Sequence, residues 1–252
     1  MSRSPTCHVI VDGEPNRGTW NMAFDEALLT AAVEQHLCAV RVYQWSEATV
    51  SLGYFQAPES VAAINDLANL PVVRRLSGGG ALLHHFEITY SCVVPASHPL
   101  ATEPAALYPA VHHAIIARLK RHGIEAQLRG SADRLKDAAF LCFGRGDPRD
   151  VLVAEHKIVG SAQRRRRGAI LQHGSLLLRR SPFAPQFPGV LDLAEEGRLT
   201  ADELRGHLGF DIAKVLGEPV ALDALDADVQ RHAASLEETR YRLLDWRGIP
   251  LA

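Results

Sequence analysis

The stretch Arg74-Arg75-Leu76-Ser77-Gly78-Gly79-Gly80-Ala81 decides how this chain is interpreted. It continues a short β-prone run at 71–75, so two arginines end a strand and three glycines form the loop after it. Glycine permits positive φ angles and lets backbone N–H groups approach a ligand closely. Arg75 beside the glycines offers a planar set of donors for carboxylate, phosphate or thioester oxygens. The residues alone indicate either a ligand-binding loop or an ordinary glycine-rich hairpin.

Lys157 is the second candidate functional group. It lies in the β-prone segment 151–160, and the small residues Gly160, Ser161 and Ala162 leave room beside it for a bound chain. A lysine at the end of a strand is usually only solvated. Next to a pocket of small residues, it is instead expected to stabilise negative charge that develops on a carbonyl oxygen.

Cys142 is the third candidate group. It lies in the apolar run 138–143 and leads into a polar loop at 144–149. A cysteine between apolar neighbours is often buried and inert. However, Arg145, Arg149 and Lys157 are close in sequence, and nearby cations favour the thiolate form that acts as a nucleophile.

The hydrophobic pattern around these motifs predicts an α+β fold. Strands are predicted at 9–11, 41–45, 49–55, 71–75, 81–94 and 169–178, with a hairpin at 150–162. Helices are predicted at 22–34 with Asn21 as N-cap, at 60–68, at 104–122, after a Thr200–Glu203 capping box, and at 226–241. Several strands are joined by connections too short for parallel crossovers, so we expect a mixed, mainly antiparallel sheet flanked by helices. A single domain over residues 1–252 is expected.

Composition excludes several classes of function. The chain has 252 residues, of which 47% are hydrophobic and 22% charged, as in an ordinary globular protein. Its net charge of −2 argues against a nucleic-acid partner. No segment has the apolar length of a signal peptide or a membrane helix, and the four cysteines show no disulfide-like spacing, so a cytoplasmic location is expected. The basic run Arg164–Arg167 is either a solvated turn or a docking patch for an acidic protein.

Several familiar catalytic motifs are absent from this sequence. It contains no GxxxxGK[ST] loop and no GxSxG elbow. None of its twelve histidines lies in a recognisable metal-binding pattern, so no metal centre is expected.

In combination, the motifs resemble the lipoyl branch of the biotin/lipoate protein ligase superfamily. That branch carries Arg-Arg-x-x-Gly-Gly-x-Ala followed by a histidine, and residues 74–81 with His84 match it. It also carries Lys-x-x-Gly-x-Ala and a downstream His-Gly, matched by residues 157–162 and by His173-Gly174. Segments 21–28 and 49–56 are similar too, and the resemblance spans roughly residues 18–245.

The resemblance implies a catalytic domain of the biotin/lipoate ligase type and a set of substrate-binding residues. These residues are Arg75, Ser77, Gly78, Gly79, Gly80, His84, Gly160, Ser161, Ala162, His173 and Gly174. Among the branches, the octanoyltransferases found in Gram-positive bacteria are the most similar, because Cys142 lies at the position of their nucleophile. Cys142 and Lys157 are then the catalytic residues.

This branch implies octanoyl transfer from acyl carrier protein, through a Cys142 thioester, to a lysine of a lipoyl domain or of the glycine-cleavage H protein. No cofactor is implied for transfer. Three departures keep two alternatives open: His85 replaces a usual Asp, Gly80 stands where transferases often have Arg, and His156 stands where Gly is common. The alternatives are a lipoate-protein ligase, which would require ATP and Mg, and an acyl-protein binding module without catalysis.

Overall fold

The computed structural model describes residues 5–62, 64, 66–131, 140–222 and 227–248. The strands are β1 Thr6–Val11, β2 Ala39–Tyr43, β3 Thr49–Leu52, β4 Val72–Arg74, β5 Leu82–His84, β6 Glu87–Val94, β7 Ala126–Leu128, β8 Val151–Val153, β9 His156–Arg166, β10 Ala169–Leu177 and β11 Glu218–Ala221. The helices are α1 Gly18–Glu34, α2 Glu59–Ala62, α3 Pro99–Thr102, α4 Pro104–Arg121, α5 Val190–Leu193, α6 Ala201–Leu216 and α7 Ala227–Leu236. A π-helical turn, Glu237–Tyr241, extends α7.

The strands form two sheets, and the larger one is mostly antiparallel. Its order is β11-β1-β2-β6-β10-β9-β8-β7, and only the pairings of β1 with β11 and β2 are parallel. The smaller sheet has the order β4-β3-β5. The predicted α+β class with a mixed, mainly antiparallel sheet is therefore confirmed.

Strand β6 shows why the large sheet has two different faces. Ile88, Tyr90, Cys92 and Val94 alternate along the strand and join the core beneath helices α4 and α6. Val93 points the other way and packs in the cluster that α1 and α7 build. The sheet is thus covered on both faces, and its central strands are buried.

Helices α4 and α6 follow the sequence pattern closely. Four residues of α4 at four-residue spacing, Leu107, Val111, Ile115 and Leu119, are fully buried against the sheet. Helix α6 begins at the capping box, in which the Thr200 hydroxyl accepts from the Glu203 backbone N–H and the Glu203 carboxylate accepts from the Thr200 N–H. Both predictions are confirmed. No helix among the described residues is both long enough and apolar enough to span a bilayer.

The N-cap predicted for the first helix is wrong. Helix α1 begins at Gly18, with Arg17 at the N-cap, so Asn21 lies inside the helix and is buried. The Asn21 amide donates to the backbone oxygens of Asn16 and Gln44, and its oxygen accepts from Arg41 at 2.8 Å. Tertiary partners therefore use the polar atoms that a cap would have used.

The predicted strand 81–94 is divided into β5 and β6, which belong to different sheets. Other boundaries differ by a few residues. Helix α2 is shorter than the predicted 60–68, and β3 ends at Leu52 rather than at 55. Residue 226 of the predicted last helix and residues 138–139 of the apolar run lie outside the described residues.

Two successive hairpins bring the Lys157 and His173 motifs together. The β8–β9 hairpin turns at Ala154 and Glu155, which both have positive φ angles, as the predicted hairpin requires. The next hairpin pairs β9 with β10 in a register that sets Ala162 opposite His173. The two motifs, about ten residues apart in sequence, therefore lie on adjacent strands.

Candidate active site

A cleft with about 530 Å³ of empty space lies between the two sheets. Most of the residues predicted to bind substrate line this cleft, together with both candidate catalytic residues: Arg75, Gly78, Gly79, His84, Cys142, Lys157, Gly160, Ser161, Ala162, His173 and Gly174. Ser77 and Gly80 do not line it, but each contacts a residue that does. The structure therefore brings residues from four separate segments of the chain to one place.

Cys142 is held beside the glycine loop by backbone pairing. Its N–H donates to the carbonyl of Ala81 at 2.7 Å, and Ala81 and Leu141 form an isolated parallel bridge. A short 3₁₀ turn starts at Cys142. The thiol is half-buried, whereas Cys7, Cys38 and Cys92 are buried. Among the four cysteines, Cys142 alone combines access from the cleft with charged neighbours.

Lys157 is the nearest of these charged neighbours. Its Nζ lies 4.0 Å from Cys142 Sγ and donates to the carbonyl oxygens of Cys142 and Arg145 at 3.2 and 3.3 Å. Its side chain is only 5% exposed. Gly160 makes this position possible, because a Cβ there would come within 2.8 Å of the Lys157 side chain. The two candidate catalytic residues are thus in contact in a site with little water.

Asp150 is a candidate functional residue that the sequence interpretation missed. Its carboxylate lies 2.9 Å from Lys157 Nζ, and both side chains are 5% exposed. The backbone N–H of Asp147 and the guanidinium of Arg129, 3.6 Å away, hold the other carboxylate oxygen. Asp150 directly precedes β8, and Lys157 lies near the start of β9. Their positions on the two arms of a predicted hairpin are the sequence feature that could have identified this pair. The carboxylate fixes the ammonium group beside the thiol.

Arg75 lines the cleft and is held by backbone carbonyl groups. Its two terminal nitrogens donate to the carbonyl oxygens of Ser51, Gly78 and Gly80 at 2.7–2.9 Å. The guanidinium therefore shapes the glycine loop instead of extending as a fork toward a ligand. Burial lowers the pKa of Arg75 to about 10, and negative charge on Cys142 opposes that shift. A Cys142 thiolate thus has two cations near it, Arg75 and Lys157.

The glycine loop is packed against the backbone that directly follows β3. Gly79 has a φ of +96°, a conformation that favours glycine. A Cβ on Gly53 would lie 2.1 Å from the Gly79 carbonyl oxygen, so the two backbones are in direct contact. At Gly80, the Arg145 guanidinium lies 3.2 Å from the position of a Cβ. The space beside position 80 is therefore filled by an arginine from another segment.

His173 and His84 connect the cleft to two buried carboxylates. The His173 ring lies 2.5 Å from Ser77 Oγ and 3.1 Å from Asp25. The His84 ring contacts Ser51 Oγ and Glu87, each at 2.7 Å. Both ring nitrogens of each imidazole have a hydrogen-bond partner, so these rings are fixed in position. The sequence motif located both histidines but gave no indication of their carboxylate partners.

Two other histidines lie outside the cleft. His85 is half-buried, where its Nδ1 lies 3.0 Å from Ser181 Oγ. His112, interpreted from sequence as a packing or surface residue, is buried on α4, and burial lowers its pKa to about 4. Its ring contacts the backbone oxygen of Arg149 and the hydroxyl of Ser161. His112 is thus a neutral support for the loop after Cys142.

The basic run at 164–167 divides into two kinds of residue. Arg166 forms a 2.7 Å ion pair with the buried Glu26, and Arg164 is half-buried beside an aromatic ring. Arg165 and Arg167 are exposed. The predicted four-residue docking patch is therefore reduced to two, because the β9 register turns alternate arginines into the protein. The described residues contain no group of three or more His, Cys, Asp or Glu placed to hold a metal ion.

Comparison with known proteins gives one family. Residues 17–196 match the lipoyl protein ligase A/B catalytic domain. The octanoyltransferase LipM of Macrococcus caseolyticus is 36% identical over 179 residues, covering 67% of this chain and 65% of that protein. The octanoyltransferase LipM of Bacillus subtilis is 31% identical over 262 residues, covering 90% and 92% of the two chains. The chain thus spans slightly less than two thirds of the first of these relatives.

A solved structure has a similar fold. The bipartite lipoate protein ligase of Thermoplasma acidophilum superposes with a TM-score of 0.70 at 19% identity, covering 96% of this chain and 95% of that one. At this identity the likeness concerns the fold alone.

Proposed function

Because the chain belongs to the lipoyl protein ligase A/B catalytic domain family, we propose that it is an octanoyltransferase that uses Cys142 as its nucleophile. The donor is octanoyl acyl carrier protein, and the acceptor is a lysine of a lipoyl domain or of the glycine-cleavage H protein. The relatives named octanoyltransferase support this assignment. The transfer requires no cofactor, because the donor is already a thioester.

One observation carries the proposal: the half-buried Cys142 thiol lies 4.0 Å from the buried Lys157 ammonium, at the wall of the cleft. A ligase that activates a free acid with ATP has no need for a thiol there. A thiolate that forms an acyl intermediate needs both access and nearby positive charge, and Cys142 has both.

The first step forms the acyl-enzyme. The Cys142 thiolate attacks the octanoyl carbonyl, the new carbon–sulfur bond forms, and the bond to the carrier thiol breaks. Negative charge develops on the carbonyl oxygen, and Lys157 is placed to stabilise it in a site with little water. The acyl chain lies in the cleft between residues 78–81 and 160–162.

The second step transfers the acyl group to the acceptor. The neutral amine of the acceptor lysine attacks the Cys142 thioester. The amide bond forms, the carbon–sulfur bond breaks to release the thiolate, and the nitrogen gives up one proton to solvent. The same groups stabilise both tetrahedral intermediates, so one site serves the two half-reactions. The cycle is then of the ping-pong type.

Asp150→Asn should lower turnover by about 10–100-fold, with little change in KM. The buried Lys157 would lose its counter-charge, so its ammonium group would no longer be fixed beside the thiol. Steady-state kinetics with octanoyl carrier protein measure both constants. Asp147→Asn in the same loop is the matched control, because the Asp147 carboxylate pairs with Arg149. An unchanged turnover in Asp150→Asn would show that Lys157 needs no such support.

The double variant Arg165→Ser/Arg167→Ser should raise KM for octanoyl carrier protein by about 3-fold, the scale of losing two exposed charge contacts. Carrier protein is acidic, and salt should raise KM more in the wild type than in the variant. Lys120→Ser, which removes an exposed charge on α4, is the control. If KM depends on salt equally in the double variant and in the wild type, these two arginines do not bind the carrier protein.

The choice of acyl source distinguishes the proposal from its alternatives. Octanoylation of a lipoyl domain is measured by mass spectrometry with octanoyl carrier protein alone, and separately with octanoate, ATP and Mg. We expect product with the carrier alone. Product only with ATP, accompanied by pyrophosphate, would identify a ligase, and no product under either condition would favour a binding module.

A further inference from the structure

A second cavity continues from the cleft on the far side of Phe143. It has about 370 Å³ of empty space, part of it open to solvent, and its walls are mostly apolar, with Leu83, Leu141, Phe143, Leu177, Ala184 and Phe187 among the lining residues. Arg179, His85 and Ser181 also line it and supply its polar groups. The cavity has no role in the reaction steps described above.

The backbone shows that the two spaces are adjacent. Phe143 lines both of them and directly follows Cys142 in the chain. Along β10, the side chains of His173 and Ser175 line the cleft, and Leu177, two residues further on the same face, lines the second cavity. The reactive thiol therefore lies close to the boundary between a cleft and a second apolar space.

Arg179 is the charged residue among the polar residues that line the second cavity. Arg179 is exposed, and among the described residues its guanidinium has no hydrogen bond or ion pair. The His85 ring is stacked on Phe86 at 3.7 Å and held by Ser181 at 3.0 Å. Burial lowers the pKa of His85, which disfavours the charged form of the ring. An anionic group that reaches the cavity would meet Arg179.

We propose that the second cavity binds the phosphopantetheine arm of the acyl donor, with the phosphate at Arg179. This inference rests on the proposed transfer. A thioester whose carbonyl reaches Cys142 Sγ must extend in two directions, with its acyl chain on one side and its arm on the other. The acyl chain fills the cleft, so the arm occupies the space beyond Phe143.

The chemistry of the arm suits this space. Its methylene and methyl groups match the apolar walls, and its phosphate matches the Arg179 guanidinium, since a guanidinium binds phosphate through paired donors. A nucleotide phosphate is the competing ligand for the same arginine. A nucleotide there would indicate ATP-dependent chemistry, so the test includes it.

The test compares octanoyl-4′-phosphopantetheine with octanoyl-pantetheine, which differ only in the phosphate. The rate of Cys142 acylation is measured by intact mass. Wild type should react about 10-fold faster with the phosphorylated donor, the scale of one exposed charge-assisted contact. Arg179→Ser should abolish this preference. Arg180→Ser, which removes the same charge from an exposed neighbour outside the cavity, should retain it.

A second variant keeps the assignment testable if the phosphate contact is weak. Ala184→Leu reduces the volume of the cavity and should slow acylation by both pantetheine donors relative to octanoyl-N-acetylcysteamine, which lacks most of the arm.

The outcomes separate the two proposals. Acylation at equal rates by the two pantetheine donors, or a preference that survives in Arg179→Ser, would overturn the placement of the phosphate at Arg179. Unchanged acylation by both pantetheine donors in Ala184→Leu would overturn the cavity assignment and leave the transferase intact. No adduct with any donor would overturn both. Binding of AMP that is lost in Arg179→Ser would assign the cavity to a nucleotide instead.

Discussion

Cys142→Ser should lower octanoyl transfer by about 10⁴-fold or more, the scale of removing a covalent nucleophile. A serine hydroxyl stays protonated at neutral pH, and Lys157 and Arg75 are cations that cannot remove its proton. The thiol is half-buried at the wall of the cleft, so the substitution changes one atom without opening a cavity. Transfer from octanoyl carrier protein to a lipoyl domain, followed by mass spectrometry, measures the loss.

The control for this prediction is Cys38→Ala. Cys38 is 4% exposed and does not line the cleft, so its variant should transfer at a normal rate once folded. A Cys142→Ser protein that keeps full activity and consumes ATP would establish ligation in place of transfer.

Lys157→Ala should lower kcat by about 10²–10³-fold, the usual effect of losing a group that stabilises an oxyanion. KM should change little, because the charge on the carbonyl oxygen develops only in the transition state. The substitution leaves Asp150 as a buried carboxylate without its closest cation, so circular dichroism must show that the variant is folded. Lys157→Met, which keeps the volume of the side chain, gives the same comparison with less disturbance of packing.

Lys214→Ala is the control, because Lys214 is 61% exposed on α6. A near-normal kcat in a folded Lys157 variant would show that this lysine only pairs with Asp150 and does not stabilise the oxyanion.

The elements that the sequence predicted well are those that local patterns determine. The alternation in β6, the four-residue spacing in α4 and the Thr200–Glu203 box all appear in the structure. Asn21 was placed wrongly because its amide is satisfied by residues from other segments, which no local pattern reveals. Local propensity and tertiary partners compete for the same polar atoms, and here the tertiary partners prevail.

In the candidate site too, local motifs were predicted from the sequence and tertiary contacts were not. Motif spacing located Cys142, Lys157 and the glycine loop, and the structure brings them to one cleft. The contacts of Arg75 could not be predicted, because its guanidinium donates to the carbonyl oxygens of the glycine loop, which no motif reveals. Asp150 was missed because its importance depends on the fold of the hairpin, which brings its carboxylate within 2.9 Å of Lys157 Nζ. Such pairings depend on register and cannot be read from a single motif.

The most direct test of the account is the intact mass of the protein after incubation with octanoyl carrier protein in the absence of ATP. We predict that the protein gains one octanoyl group, that hydroxylamine removes it as expected for a thioester, and that Cys142→Ser gains none. Failure of the wild-type protein to gain mass, or a hydroxylamine-stable adduct that persists in Cys142→Ser, would contradict the account.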